Sequence, residues 1–320
     1  MIDSVPNVTT QEDVPSASHP LVSLIIPTYN RPDALKRCLE GVANLDFPRE
    51  QFEVIIVDDG SEQPPDSVIA AFTGRLPVHL LTQTNAGPSS ARNTGVKAAR
   101  GWFLAFTDDD CVPDRQWLRI LIDDLLKHPD AMVGGRTGNL LTDNVYAETS
   151  QMITDIVYGY YNRDPEDARF IIGNNFALSR EQFLKAGWFY DTFHLPAAED
   201  REFCDRWHFH GYKMRYLPDA VIYHGSDLTL RSFFRMYANY GRGAALFYML
   251  RAGRGSGGFI TEARFHLHLN NWLITPILSQ RGIVNRLRTG LLIGLWQFAN
   301  ALGFLTERVN LRKWDRRMSQ

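Results

Sequence analysis

The feature that most limits what this chain can fold into is a repeated unit, a short apolar run that halts at a polar or acidic cluster. Run 21–26 stops at Pro27-Thr28-Tyr29-Asn30, run 52–57 at Asp58-Asp59-Gly60-Ser61, run 78–81 near Asn85-Ala86-Gly87-Pro88, and run 102–106 at Asp108-Asp109-Asp110. Short, largely apolar runs of this length read as strands buried on both faces. Helix signals lie between them. Arg31-Pro32-Asp33 opens one helix with a proline at its start, and Leu35, Cys38, Leu39 and Val42 recur at helical spacing; a second is expected over 89–99. Strand and helix in alternation predict an α/β fold built on a mostly parallel sheet with helices on both faces.

In open sheets of this kind ligands sit beyond the carboxyl ends of the strands, and the polar clusters all fall there. Past residue 132 the alternation fades into Gly, Asn and aromatic residues, which predicts mixed strands and loops. From 228 the chain reads as helical, with a Gly-rich break at 253–258 ahead of two apolar segments. The expected organisation is a loose tail over 1–20, a nucleotide-binding part over 21–112, an acceptor side over 113–227, and a helical region over 228–320.

Three adjacent carboxylates at Asp108-Asp109-Asp110 repel one another, so a fold that keeps them at a strand end needs a cation or donors to offset that cost. Oxygen ligands of this kind suit Mg2+ or Mn2+, ions whose shells are often completed by substrate phosphates. The competing reading is an acidic turn capping a helix near Pro113-Asp114. Asp58-Asp59-Gly60-Ser61 offers carboxylates to a base N–H or a ribose hydroxyl, or is an ordinary turn. Tyr29 presents a ring to a nucleobase or simply packs. Arg92 reaches a phosphate or a base, or is a solvated surface cation.

Together the stretches IIPTYNR, VDDGS, NAGPSSARNTG and FTDDDCVPD, in this order at successive strand ends, resemble the family 2 glycosyltransferases with the GT-A fold, through about residue 225. The resemblance implies that Pro27, Thr28, Tyr29 and Asn30 line the nucleoside pocket, that Asp58 or Asp59 binds the base, and that Arg92 supports it. It aligns Asp108-Asp109-Asp110 with the family's D-x-D element, Asp108 toward the ribose and metal, Asp110 as the metal ligand, and Asp109 as a nucleotide-sugar contact that a one-residue shift of the alignment makes a possible metal ligand. Glu199-Asp200 matches the family's ED element, whose aspartate deprotonates the acceptor hydroxyl in inverting transfer; the alternative is an acid-rich helix start. Gly173-Asn174-Asn175-Phe176 resembles the acceptor-wall element, and His224 a histidine near the metal. The Q-x-x-R-W element of processive synthases does not occur, and Arg231-Ser232-Phe233-Phe234-Arg235 stands in the comparable region. The implied activity is therefore single addition from a nucleotide diphosphate sugar to a glycan or lipid-linked acceptor, with Mn2+ or Mg2+ as cofactor. A nucleotidyltransferase and a non-catalytic sugar-nucleotide-binding protein are the rivals.

With 44% hydrophobic residues in 320 the chain is able to bury a large core, and its net charge of -2 gives no reason to expect nucleic acid. Three dispersed cysteines and a start without a secretory signal point to a reducing, cytoplasmic setting. The apolar stretch 287–305 barely reaches the roughly 20 residues that a bilayer span needs. Lying at a membrane interface on the inner face, with Arg312, Lys313, Arg316 and Arg317 on anionic headgroups, is one reading of it. A helix pair packed on the domain or in a homodimer is the other.

Overall fold

The computed structural model describes residues 20–193, 197–257, 265 and 270–318, with side chains to 311 in the last segment. The expected tail, apart from Pro20, and the basic side chains at 312–317 lie outside the described residues.

Eight strands form one sheet. Four of them are the expected apolar runs: β1 (Val22–Thr28), β2 (Phe52–Asp58), β3 (Val78–Thr82) and β4 (Phe103–Phe106). They are parallel neighbours in the order β3-β2-β1-β4, with α1 (Pro32–Ala43), α2 (Asp66–Ala70) and α3 (Pro88–Ala98) as crossovers. Alternate side chains of these strands serve opposite faces. Leu24, Ile26, Val54 and Ile56 pack under α1 and α4 (Trp117–Leu125), while Ile25, Ile55, Val57 and Phe106 join α3, α6 (Arg180–Ala186) and α7 (Glu199–Phe209). Cover on both faces is why β1, β2 and β4 read as largely apolar runs; the polar exceptions, Ser23 and Glu53, are buried and bonded to each other at 2.6 Å.

The second half of the sheet is mixed, and it continues from β4 as β7-β6-β8-β5. Here β5 is Cys111–Pro113, β6 Met132–Asn139, β7 Phe176–Ser179 and β8 Met214–His224. β7 is antiparallel to β4, with Phe176 opposite Phe106, so the start of β7 lies at the edge where β4 ends. β5 is antiparallel to β8, with Cys111 opposite His224. This pairing overturns the cap reading of the acidic run, since a strand separates it from α4.

A third cluster, of Ile153, Phe233, Tyr237, Ile293, Trp296 and Ala299, joins α5 (Val145–Tyr161), α8 (Leu230–Arg254) and α10 (Ile283–Met318). A π-helical turn, Asn270–Ile274, and the short α9 (Thr275–Ser279) precede α10. α8 and α10 cross at two glycines: a Cβ on Gly303 would stand 1.9 Å from Ala238 O, and one on Gly241 2.1 Å from Asn300 O. Among the described residues one helix segment, Ile283–Leu311, is long and apolar enough to cross a membrane. Its inner face is packed, whereas Leu287, Leu291, Phe298, Leu302, Leu305 and Val309 are exposed along the other.

Candidate active site

A single cleft of about 1500 Å3 collects most of the residues singled out in the sequence. Pro27, Thr28, Tyr29, Asp59, Arg92, Asp108, Asp109, Asn174, Glu199, Asp200 and His224 all line it. Chain direction explains this. β1, β2 and β4 deliver their carboxyl ends to one edge, and antiparallel β7 delivers its amino end, with Asn174 just before it, to the same edge.

The acidic residues are held in place by their neighbours. Asp59 is buried and organises the next loop, its Oδ1 accepting from Gln83 Nε2 at 2.7 Å and Ala86 N at 2.9 Å, and its Oδ2 from Gly87 N at 2.9 Å. Asp58 faces away from the cleft. It is fully buried, its Oδ1 accepts from the backbone and hydroxyl of Ser61, and its Oδ2 is without a partner among the described residues. Of the two expected base-binding carboxylates, then, only Asp59 meets the cleft. Asn30 is also a correction: at φ 54° its backbone donates to Ser61 Oγ and its Oδ1 accepts from Glu62 N, so it fastens the turn after β1 to the turn after β2. Tyr29 is 45% exposed, with a ring face open to the cleft.

The acidic run meets two guanidiniums and an imidazole. Arg92, 3% exposed, bridges Asp108 Oδ1 (2.8 Å) and Glu199 Oε1 (3.0 Å). Arg31 reaches Asp109 Oδ1 at 3.2 Å and Asp110 Oδ2 at 2.7 Å, and His224 Nε2 lies 3.2 Å from Asp110 Oδ1. Burial acts against the ionised form of Asp110, but His224 and Arg31 outweigh it and hold this carboxyl far below its ordinary range. Asp109 goes the other way: burial, with Asp110 and Asp108 adding to it, lifts its carboxyl to about 7 despite Arg31 and a 2.7 Å hydrogen bond from Thr28 Oγ1. With both oxygens engaged, Asp109 clamps β1 to the end of β4 and is not an open donor ligand.

The donor set fits a divalent cation. A carboxylate held ionised and an imidazole stand together at Asp110 and His224, because the β5–β8 register brings them there. The Cys111 sulfur is near both, and burial first and the neighbouring carboxylates after it raise its thiol well above the ordinary value; a soft sulfur is in any case a poor match for Mg2+ or Mn2+. Asp108 does not join this group and is committed to Arg92, which corrects its reading as a metal ligand.

Asp200 occupies the first turn of α7, preceded by Ala198 in the left-handed region at φ 67°. Its oxygens accept from Gly173 N (3.1 Å) and Arg201 N (2.7 Å). Burial, reinforced by Glu199, raises its carboxyl to about 7 against those two amides and Arg92. Asn174 lines the cleft and accepts from Thr137 Oγ1 at 3.1 Å. Asn175, also expected on the acceptor wall, is fully buried: it accepts from Trp117 Nε1 and donates to the carbonyls of Arg136 and Ala220. Its amide is a structural tie between β7 and the elements around it.

Two groups escaped the sequence reading. Arg31 was visible only as part of a helix start, although three adjacent acids call for cations and it follows Tyr29 by two residues. The α5, α8 and α10 side of the cleft, with Tyr237, Tyr240, Phe247 and Trp296, has no local motif at all.

Comparison with known proteins adds lineage to this geometry. The model of Glycosyl transferase family 2 matches residues 23–186, just over half of the chain. Glycosyltransferase AglE of Haloferax volcanii is 34% identical over 119 residues, which is 36% of this chain and 39% of that protein. Pre-mycofactocin glycosyltransferase of Mycobacterium tuberculosis is 30% identical over 234 residues, 71% of this chain and 47% of the relative. The chain thus spans less than half the length of these curated relatives. Among solved structures, the mannosyltransferase PcManGT from Pyrobaculum calidifontis, in complex with GDP-Man and Mn2+, superposes with a TM-score of 0.62 at 20% identity over 93% of this chain and 88% of that one. Residues 1–349 of S. aureus TarS with UDP-GlcNAc give 0.54 at 18% identity over 91% of each. Such distant likeness speaks for the fold alone. Strand order, the clustering of the four strand-end motifs and the matched family model agree, and the chain belongs to the family 2 glycosyltransferases.

Proposed function

We propose that this protein is an inverting glycosyltransferase that moves one sugar from a nucleotide diphosphate sugar to a glycan or lipid-linked acceptor. The observation that carries the reading is Asp200: a carboxylate on the cleft wall, held by two amides, whose proton affinity is raised into the range of a general base at neutral pH. Asp200 takes the proton of the acceptor hydroxyl, the freed oxygen bonds to the anomeric carbon, and the bond from that carbon to the diphosphate oxygen breaks on the opposite face. Tyr29 and Asp59 orient the nucleoside, and Asn174 the acceptor. Glu199 steadies Arg92, which in turn supports Asp108 at the ribose. Asp110 and His224 would hold a divalent cation, Mn2+ or Mg2+, which when bound neutralises the charge that develops on the departing diphosphate.

We read 21–227 as the catalytic unit and 228–320 as its helical extension. The exposed apolar stripe of α10, with Arg281, Arg286, Arg288 and Arg308 exposed around it, supports a cytoplasmic enzyme resting on the inner face of a membrane. A homodimer closing over the same stripe is the competing arrangement.

The test is a screen of nucleotide sugars for Mn2+-dependent release of nucleoside diphosphate. One donor should be turned over, and Asp110→Ala should abolish its metal-dependent binding. A nucleotidyltransferase would release pyrophosphate instead, and a binding protein would turn over nothing; either result sinks the reading.

A further inference from the structure

We infer that the inner half of the cleft is a subsite for the apolar chain of an amphiphilic acceptor, whose hydroxyl-bearing head lies at Asp200. This assignment rests on the glycosyltransferase reading above and names the acceptor class that the reading leaves open.

Size is the first argument. About 1500 Å3 exceeds the ~300–1,000 Å3 that holds one small ligand, so room remains once a donor fills the strand-end side. The chemistry of the remaining wall is the second. Beyond Asp200 its apolar members are Ile153 and Val157 of α5, Met236 and Phe247 of α8, and Trp296 and Leu305 of α10, interspersed with polar groups of the same helices, among them Gln151, Thr154, Tyr237, Tyr240, Gln297 and Asn300. A methylene buried there gains about fourfold.

The third argument is continuity. Leu305 lines the cavity and is also 62% exposed on the outer stripe of α10. A small apolar groove of Phe304, Leu305, Arg308 and Val309 lies at the same place. The chamber therefore reaches the surface where the protein is most apolar, which gives a chain embedded in a bilayer a route to Asp200. On the same wall, Gln297 Nε2 is buried without a hydrogen-bond partner among the described residues, a donor suited to an oxygen near the head of such a chain.

The test uses the full chain and alkyl glucosides of octyl, dodecyl and hexadecyl length, with a diazirine at the end of the dodecyl chain for photolabelling. Labels mapped by mass spectrometry should fall on Met236, Phe247 or Trp296. Affinity should rise about fourfold per methylene and then level off once the chamber is full. Ala244→Trp and Ala301→Trp, which plug the chamber, should each cut labelling about tenfold, with Mn2+-dependent nucleotide binding as the check that the variants are folded. Labels confined to Leu287, Leu291 and Phe298, or affinity that climbs without levelling, would mean partition onto the outer face and would overturn the subsite. So would a crosslinked dimer that covers α10 with the chamber unlabelled. Donor turnover is scored separately. Labelling in the chamber without turnover of any nucleotide sugar counts against the transferase reading alone, and turnover without labelling counts against the chamber alone.

Discussion

The two ends of the cleft are built on opposite principles. At the strand ends the acidic groups of the site have designated partners: Asp59 a loop of amides, Asp108 and Glu199 the one guanidinium of Arg92, Asp109 and Asp110 Arg31, with His224 on Asp110 as well. At the α5, α8 and α10 end the wall mixes rings and aliphatic side chains with uncharged polar groups such as Gln151, Thr154, Tyr237 and Asn300. The first end fixes charges before any ligand arrives, so that binding needs little reorganisation. The second holds by buried area and tolerates variation in what it touches. Asp200 stands where the two meet, and its raised proton affinity follows from that position: little water to solvate its charge, and Glu199 beside it.

The comparison is most sharply broken at Asp200. Asp200→Asn should lower transfer by about 100- to 10,000-fold while nucleotide affinity is kept, and equal loss of both would remove Asp200 from the role of base. Its carboxyl is neutral below about 7 and ionised above, so wild-type kcat/KM should rise with pH across that value. The same shift bears on stability. The folded state holds this proton more tightly than the unfolded one, so Asp200 favours folding at low pH and costs stability as pH climbs from the ordinary carboxylate range to about 7. Unfolding of Asp200→Asn followed over that window should show a flatter dependence.

Next in size is Arg92→Ala, which leaves Glu199 buried and Asp108 half-covered without their cation. A loss of about 3–5 kcal/mol in urea unfolding is expected, and a loss below 1 kcal/mol would show that the strand-end charges are not interdependent. Asn175→Ala should cost about 1–3 kcal/mol through the unpaired Trp117 indole and two carbonyls, yet leave the KM for the acceptor unchanged. A shift in acceptor KM at unaltered stability would restore Asn175 to the acceptor wall. Smallest of all, Leu291→Gln or Leu302→Gln on the exposed stripe should alter stability by no more than about 0.5 kcal/mol, and still reduce co-sedimentation with anionic vesicles. Unchanged sedimentation would leave the stripe to a second subunit.

Much of the fold was legible because β1, β2 and β4 are covered on both faces, a demand that largely apolar runs satisfy and that therefore marks the sequence directly. The site was legible for the same reason, since each run must end in the turn that meets the ligand. Errors arose wherever a side chain points in a direction that spacing does not reveal. Asp58 and Asp59 are neighbours, yet only one faces the cleft, since successive side chains of extended backbone point to opposite sides; Asn174 and Asn175 divide within the turn before β7, where Asn175 N donates to Ile172 O. Arg31 was overlooked because its partners, Asp109 and Asp110, come from a strand that lies beside β1 only after folding.

By itself the sequence determined the alternation of strands and helices, the strand ends at which acids gather, and the family to which those motifs belong, because these depend on local burial and on short-range spacing. Tertiary structure alone decided which acid meets which basic group, that the β5–β8 register sets Asp110 beside His224, and that three helices far apart in the chain line the cleft behind Asp200. Those outcomes rest on contacts between residues tens to hundreds of positions apart, whose pairing is fixed by how the layers pack and leaves no periodic trace along the chain.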